Sequence, residues 1–352
     1  MIFFDTTKTG RPGRRSGLDR VSRRLRDSLG EAMREVVWQE GWREVEKWNP
    51  VALRPGDSVL TSELFAEWER PGISAFIASR PCPLAAVFHD AIPLQHTQIT
   101  WPQSVARHPG YMKLLAGFDR VWAVSETSRT DLLGFWQWQG IERPPPVDVL
   151  ALGADFSGAP RLTSALPRPT RSSHALPRLL CVGIIEPRKN QALLLPICAE
   201  LWSEGLEFEL HVVGRVNPHF GGPIVSRLKT LRRAWPKFLH FHEAATDATV
   251  ATLYATTDAT LFPTLAEGCG LPLLESLWMS VPCVCSDLPV LRENADGGGC
   301  LTVTPNDSGA WKKALRDVVT DVALLERLKR EAVSRPLPTW SDAAKAITSA
   351  LP

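Results

Sequence analysis

The sequence predicts an α/β protein of two doubly wound domains, and three observations carry that prediction. Short runs rich in Val, Ile, Leu and Phe alternate with longer helical stretches, the rhythm of parallel strands joined by crossover helices. At 352 residues the chain is too long for one ordinary core and long enough for two of medium size. Residues 156–177 gather prolines, serines and arginines without apolar periodicity, which is the composition of an exposed connection. With 44% hydrophobic and 22% charged residues, the composition excludes disordered and fibrous classes.

In the first domain (1–155) strands are expected over 1–6, 58–62, 84–90, 120–125 and 147–153. The first of them runs into a glycine-containing loop and then a helix whose Leu18, Val21, Leu25 and Leu29 share one face while arginines occupy the rest. Three readings of that segment stand side by side: a solvated charge run, a phosphate-binding loop with Ser16 and Gly17 at the helix start, or contact of Arg11, Arg14 and Arg15 with anionic lipid headgroups. Further on, His89 and Asp90 end a strand and emerge at the carboxyl edge of the sheet, where α/β proteins bind ligands. A strand-end His is most often a structural hydrogen-bonder, and Asp90 could equally cap a turn.

Strands of the second domain (178–335) are expected over 179–185, 208–214, 238–242, 258–264, 281–286 and 300–304. The run from Val182 to Asn190 leaves a strand and enters a helix near Asn190, read as an Asx-type cap, which brings Arg188 and Lys189 beside the positive end of the helix dipole. Such a place suits a doubly charged anion, while the plainer reading is two solvated cations. Pro196 in the following helix is expected to kink or shorten it. Glu267 is placed in a turn and Glu275 in the first turn of the next helix, with glycines between them that let backbone N–H groups approach an anion. Glu275 could there serve the helix dipole alone. A last helix is expected after Trp340.

The segment Glu267-Gly-Cys-Gly-Leu-Pro-Leu-Leu-Glu275 resembles the E-x7-E segment of retaining glycosyltransferases of the GT-B fold, family 4 in particular. Glu-Pro-Arg-Lys-Asn at 186–190 is similar to that family's donor-phosphate loop, and His-Asp-x-Ile-Pro at 89–93 to one of its strand ends. The resemblance implies two Rossmann-like domains facing a cleft, with the helix at about 336–352 returning to the first domain. It implies that Glu267 hydrogen-bonds hydroxyls of the donor sugar, that Glu275 accepts from the ribose, and that Arg188 and Lys189 hold the diphosphate. Backbone of Gly183, Gly268, Cys269, Gly270 and Leu271 would line the donor, Cys269 standing where members commonly have Phe. His89 would contact the sugar near its reacting carbon, and Ser125 and Gly17 would line the cleft. The stretches Val213-Gly-Arg215 and His242-Glu-Ala are similar to segments that contact the base.

The activity so implied is retaining transfer of a hexose, mannose from GDP-mannose, to a saccharide or lipid-linked acceptor in cell-envelope polysaccharide synthesis. No cofactor is expected beyond the donor itself. No Asp-x-Asp pair occurs in the chain, so the carboxylate clamp for a diphosphate-bound divalent ion is missing and metal-independent turnover is expected. A net charge of +2 gives no reason to expect a nucleic-acid partner. Seven scattered cysteines without C-x-x-C spacing read as reduced thiols, and Asp5 interrupts the apolar start before a signal peptide could form, so a cytoplasmic site is expected, with peripheral membrane contact through the Arg11 to Arg26 region. Competing readings are a glycoside hydrolase using Glu267 and Glu275 as its acid pair, a nucleotide-dependent dehydrogenase, and a non-catalytic sugar-nucleotide binder. The dehydrogenase reading lacks G-x-G-x-x-G after the first strand.

Overall fold

A computed structural model describes residues 1–10, 16–156, 161 and 176–352. The chain divides into two compact units, Met1–Gly153 with Pro338–Pro352, and Ala154–Leu337. The connection expected over 156–177, and the Arg11, Arg14 and Arg15 group, fall outside the described residues apart from 156, 161, 176 and 177.

The first unit runs β1 (Ile2–Asp5), α1 (Gly17–Leu29), β2 (Met33–Trp38), β3 (Trp42–Glu44), β4 (Ser58–Thr61), α2 (Ile73–Ser79), β5 (Leu84–Phe88), α3 (Ile92–Gln95), α4 (Pro102–Leu115), β6 (Arg120–Ala123), α5 (Glu126–Trp138) and β7 (Val147–Val149). Its sheet has the order β3-β2-β1-β4-β5-β6-β7, parallel throughout except for the β2–β3 pair. Five of these strands stand where the apolar runs predict them. The β2–β3 hairpin at the edge goes unpredicted, because β2 is interrupted by Arg34 and Glu35 and buries fully only Val36 and Trp38. Trp38 and Trp42 lie edge to face at 5.1 Å between ring centroids, and both meet Phe76 of α2, so packing of aromatic rings holds this edge.

Beneath the carboxyl ends of β1 and β4 lies a charged cluster with almost no solvent contact. Arg70, 1% exposed, donates from Nη1 to Asp5 Oδ2 at 2.7 Å and from Nη2 to Glu63 Oε2 at 2.5 Å. Asp5 also accepts from the hydroxyls of Thr7 and Thr61, both at 2.6 Å, while Glu63 Oε1 accepts from the amides of Lys8 and Thr9, both at 2.7 Å. The guanidinium lies 4.3 Å above the Phe65 ring. Every buried charge therefore has partners, and the network fixes the start of the loop that leaves β1. Burial, and the nearby Asp5 charge, push the Glu63 carboxyl up to about 7.

Helix α1 begins at the Ser16 cap, whose hydroxyl accepts from the Asp19 amide at 3.1 Å while Asp19 accepts from the Ser16 amide at 2.7 Å. Val21, Leu25 and Leu29 are buried along one face as their spacing predicts, with Ser22 beside them.

The second unit runs β8 (Arg178–Val182), α6 (Gln191–Ser203), β9 (Glu209–Val213), α7 (Gly222–Ala234), β10 (Leu239–His242), α8 (Asp247–Thr256), β11 (Ala259–Phe262), α9 (Leu271–Trp278), β12 (Cys283–Ser286), α10 (Pro289–Ala295), β13 (Cys300–Val303), α11 (Ser308–Thr320) and α12 (Val322–Ser334). Its strands are all parallel in the order β10-β9-β8-β11-β12-β13, and all six stand where the sequence predicts them. Leu210 and Val212 of β9 pack with Leu194, Trp202, Leu228, Trp311 and Leu315 in its core. Helix α6 continues through Pro196 for its full 13 residues instead of being shortened. Burial of Leu194, Leu195, Ile197, Cys198 and Leu201 offsets the missing hydrogen bond.

After this unit the chain returns to the first as α13 (Trp340–Ala350), which packs against α1 and buries Trp340, Ala343, Ala344 and Ile347. Among the described residues no helix is long and apolar enough to cross a membrane.

Replacing Arg70 by Leu leaves Asp5 and Glu63 as adjacent buried carboxylates, and the expected loss is about 3–5 kcal/mol by urea denaturation at neutral pH. Between pH 4.5 and about 7 the folded chain keeps a proton on Glu63 that the unfolded chain has lost, so this group's contribution to stability falls as pH rises. Without Arg70 the Glu63 carboxyl is pushed up further still, so the deficit of the variant should shrink as pH falls from the alkaline side to about 7 and level off below it, where Glu63 is protonated in both chains; a deficit that grows on acidification would contradict the charge argument.

Candidate active site

In the second sheet the order of strands reverses between β8 and β11, the position at whose carboxyl ends open α/β sheets bind ligands. The loop after β8 is fixed first by backbone packing. Gly183 donates to Val213 O at 2.9 Å, and a Cβ built on Gly214 would lie 1.8 Å from Gly183 O, so position 214 admits only glycine. Ile185 then donates to Arg215 O at 2.9 Å and Gln191 Nε2 to Ile184 O at 2.8 Å. Pro187–Lys189 forms a single 3₁₀ turn ahead of α6. The Asx cap expected at Asn190 is absent. Asn190 takes a left-handed conformation (φ 55°) and its side chain donates to Asn306 Oδ1 at 3.1 Å, because the 3₁₀ turn has already set the direction of entry into the helix.

This loop is tied to the one after β11. Leu265 donates its amide to Arg188 O at 2.8 Å, and Arg188 Nη1 donates to Ala266 O at 2.8 Å. The pairing brings Lys189 Nζ within 2.5 Å of Glu267 Oε1, with Arg188 Nη1 at 3.3 Å from the same oxygen and the Thr264 hydroxyl donating to it at 2.7 Å. Lys189 also lies 5.0 Å above the centre of the Phe262 ring. Arg188 is held on its other side by Glu186 at 2.9 Å, and Glu186 accepts from Asn217 Nδ2 at 2.9 Å. Arg188, Lys189 and Glu267 thus form one cluster.

Burial raises the Glu267 carboxyl, but Lys189 and Arg188 outweigh it and hold the group below its ordinary range. For Lys189 the balance runs the other way: burial pulls the ammonium down, Glu267 opposes it, and Arg188 adds to the lowering. The asymmetry has a simple cause. Glu267 faces two cations, whereas Lys189 faces one close carboxylate and a like charge. The carboxylate is the better-compensated member of the pair.

Helix α9 supplies the other wall. Gly270 starts it in a left-handed conformation (φ 85°), and a Cβ there would lie 2.6 Å from Leu291 Cδ2. Asn294 donates to the Cys269 carbonyl and pins the turn from the side. Cys269 is buried, and burial, with Glu267 next in weight, raises its thiol to about 12, which makes it a wall rather than a nucleophile. Leu271 is half-buried and Gly268 buried at the same turn. Glu275 does not lie in the first helical turn as expected. It is the fifth residue of α9, in the second turn, and is 4% exposed, so the helix-dipole account of it does not apply.

The remaining predicted residues lie in the first unit. His89 is buried, its Nε2 2.8 Å from Ser62 O, and burial lowers the ring's affinity for a proton, so the imidazole is neutral and donates from Nε2. The Ser128 hydroxyl donates to His89 O at 2.8 Å, and Ser125 Oγ caps α5 by accepting from the Ser128 amide at 3.0 Å. Asp90 accepts from the Ile92 amide at 3.0 Å, the turn-capping role. Gly17 is the exposed first residue of α1, and among the described residues a Cβ there would meet nothing within 4 Å. Sequence reasoning did not single out Thr264, Asn217, Asn294 or Phe262. Of these, Thr264, the last residue of the expected strand, and Asn217, two residues past Val213-Gly-Arg215, stood close enough to a quoted segment to be found.

Residues 176–321 match the family described as glycosyl transferases group 1. The chain is 29% identical over 264 residues to the serotype-specific mannosyltransferase WbdA of Escherichia coli, covering 70% of this chain and 31% of that protein. It is 28% identical over 287 residues to the phosphatidyl-myo-inositol mannosyltransferase of Mycolicibacterium smegmatis, covering 79% and 66%. The chain thus spans about a third of the length of the WbdA proteins it matches. Among solved structures, it superposes on sucrose-phosphate synthase from Thermosynechococcus elongatus with a TM-score of 0.72 at 16% identity, covering 99% of this chain and 97% of that one. The glycosyltransferase WaaG gives 0.65 at 15% identity, covering 99% and 100%. The fold is that of the GT-B glycosyltransferases, two Rossmann-like parallel-sheet units.

The cluster makes an acid-side prediction. Because the folded Glu267 holds its proton less tightly than the unfolded chain does, its contribution to stability is present above the ordinary value of 4.5 and is lost as pH falls through the folded value. The stability difference between the native chain and Glu267→Gln, measured by urea denaturation across acid pH, should therefore narrow as pH drops. A constant difference would show that folding leaves the proton affinity of Glu267 unchanged, and a widening one that the carboxyl is protonated in the fold.

Proposed function

We propose that this chain, whose residues 176–321 form a glycosyl transferases group 1 domain, transfers a hexose from a nucleotide-diphosphate sugar to a saccharide or lipid-linked saccharide acceptor. The observation that supports this most is the convergence of Lys189, Arg188 and Glu267 at the point where the second sheet reverses its strand order. Each cation has a carboxylate, Lys189 with Glu267 and Arg188 with Glu186, so an incoming diphosphate reaches these fixed charges, at the turn that opens α9, by taking over part of that pairing. A diphosphate leaving group needs such fixed charges and oriented amides. Mannose is the sugar assigned, from GDP-mannose, since the relatives WbdA and the phosphatidyl-myo-inositol enzyme are named mannosyltransferases. Envelope polysaccharide is the corresponding product, and the WaaG structure is described as that of a glycosyltransferase of lipopolysaccharide biosynthesis.

In this reading Arg188 and Lys189 hold the diphosphate, and Glu267, released from part of its pairing by the incoming anion, accepts from sugar hydroxyls. Glu275 accepts from the ribose, and the backbone of Gly183 and of Gly268 to Leu271 lines the donor. The bond from the anomeric carbon to the diphosphate oxygen breaks, the bond to the acceptor oxygen forms on the same face, and the acceptor proton passes to the departing phosphate. That route retains configuration and needs no protein nucleophile, in keeping with a Cys269 thiol that stays protonated. It calls for no cofactor. The local cations do the work that an Asp-x-Asp-bound metal does elsewhere, so turnover is metal-independent.

Glu267→Gln is expected to lower turnover of GDP-mannose with a saccharide acceptor by at least about 10²-fold, read as GDP release, with the circular dichroism spectrum unchanged. Lys189→Ala should weaken GDP-mannose binding by roughly ten- to a hundredfold in calorimetry, about 1.5–3 kcal/mol. Retained transfer in the first variant, or unchanged affinity in the second, would overturn the site. A panel of nucleotide sugars scored by thermal stabilisation tests the donor: GDP-mannose should give the largest shift, and a larger one from a UDP sugar would reassign it.

A further inference from the structure

A second cluster of metal-competent side chains stands at the β9–β10 edge of the same sheet. Glu209 and His211 are two apart in β9, so both leave one face of the sheet, opposite Leu210 and Val212 in the apolar core. In β10, His240 is the register partner of His211, and His242 lies two residues beyond it. The rings of His211 and His240 stack at 4.5 Å between centroids, and those of His211 and His242 at 5.3 Å. One carboxylate oxygen of Glu209 and one nitrogen each of His211 and His240 fall within 4.8 Å of one another. His240 Nε2 is buried and, among the described residues, makes no hydrogen bond.

We propose that Glu209, His211 and His240 bind one divalent transition-metal ion of the Zn²⁺ class. Two imidazoles and a carboxylate are donors for Zn²⁺ and its late first-row neighbours rather than for Mg²⁺ or Ca²⁺. Ligation at about 2.0–2.1 Å sets neighbouring donor atoms roughly 3.4 Å apart, so the His211 and His240 rings, stacked at 26° between planes, turn out of their stack for both lone pairs to meet one ion. The unused His240 nitrogen is what a ligand position looks like without its ion. In this structure His211 Nε2 donates to Glu209 Oε2 at 3.1 Å and His211 Nδ1 accepts from His242 Nε2 at 3.1 Å; His242 is a positioning residue, because once an ion replaces the Nε2 proton the ring carries its hydrogen on Nδ1, where His242 Nε2 accepts it. Arg178 holds the same Glu209 oxygen at 2.8 Å and orients the carboxylate.

Glu209 is the first residue of β9 and His240 the second of β10, so the site lies toward the amino ends of the strands, whereas Gly183, Gly214 and Glu267 follow their carboxyl ends. Strand β10 pairs with β9 alone. The ion is therefore assigned to pinning the edge strand and not to the diphosphate, which leaves metal-independent transfer intact.

The test uses the full chain after EDTA treatment and dialysis, titrated with Zn²⁺ by calorimetry and with Co²⁺ by absorption. One Zn²⁺ per chain is expected, with at least tenfold weaker affinity in His240→Gln and in Glu209→Gln, and a roughly 10–100-fold loss in His242→Ala. Zn²⁺ should raise the unfolding temperature of the native chain and not that of the first two variants. The Co²⁺ complex should show ligand-field bands without thiolate charge transfer. His240 and Glu209 are both half-buried, and circular dichroism verifies each fold. The proposal is overturned by absence of saturable Zn²⁺ uptake, by unchanged affinity in both ligand variants, or by a thiolate band placing the ion at the Cys283, Cys285 and Cys300 group of β12 and β13. None of these readouts involves sugar transfer, so they stand or fall apart from the reading above.

Discussion

The ion pair between Lys189 and Glu267 is the constraint on which the geometry of the second unit's carboxyl edge depends. It joins two loops 78 residues apart in sequence, and it is supported by the Thr264 hydroxyl, the Arg188 guanidinium and the face of Phe262. An ion pair this buried contributes little net stability, because desolvation of both charges offsets most of their attraction. Its effect is positional. The loops after β8 and β11 cannot drift without leaving a charge unpaired in a dry site, so the cations stay where an anionic ligand would meet them.

The first unit solves the corresponding problem with different residues. Where its sheet reverses order, between β1 and β4, Arg70 is the buried charge that joins Asp5 to Glu63, and Glu63 in turn grips the amides of Lys8 and Thr9. Strand ends at such a reversal splay apart, which leaves backbone donors without sheet partners. Buried carboxylates satisfy them, and a buried cation then offsets the carboxylates.

Against these, the β9–β10 edge shows how one sheet separates chemistries along its strands. Arg188, Lys189 and Glu267 belong to loops at the carboxyl ends, while Glu209, His211 and His240 lie within the strands and form a ladder on one face. The period of two that places Leu210 and Val212 in the core places the glutamate and the histidine together on the other side.

The amino-acid pattern alone determined the doubly wound architecture, all six strands of the second sheet and five of the seven in the first, because buried parallel strands must be nearly continuous apolar runs. It also identified Arg188, Lys189, Glu267 and the turn before α9, since glycines and charges at strand ends are legible one residue at a time. What it could not determine was contact. The antiparallel edge of β2 and β3 is held by Trp38, Trp42 and Phe76 meeting across the fold, and the Asx cap at Asn190 gave way to a 3₁₀ turn and a bond to Asn306. Glu275 moved from a helix end to its buried second turn when Gly270, fitted against Leu291, set the start of α9. Arg70, an ordinary arginine in the sequence, became the centre of a buried cluster. Such outcomes were left to the tertiary structure for one reason: desolvation and hydrogen-bond satisfaction depend on which distant groups arrive at the same place, and a linear pattern does not carry that information.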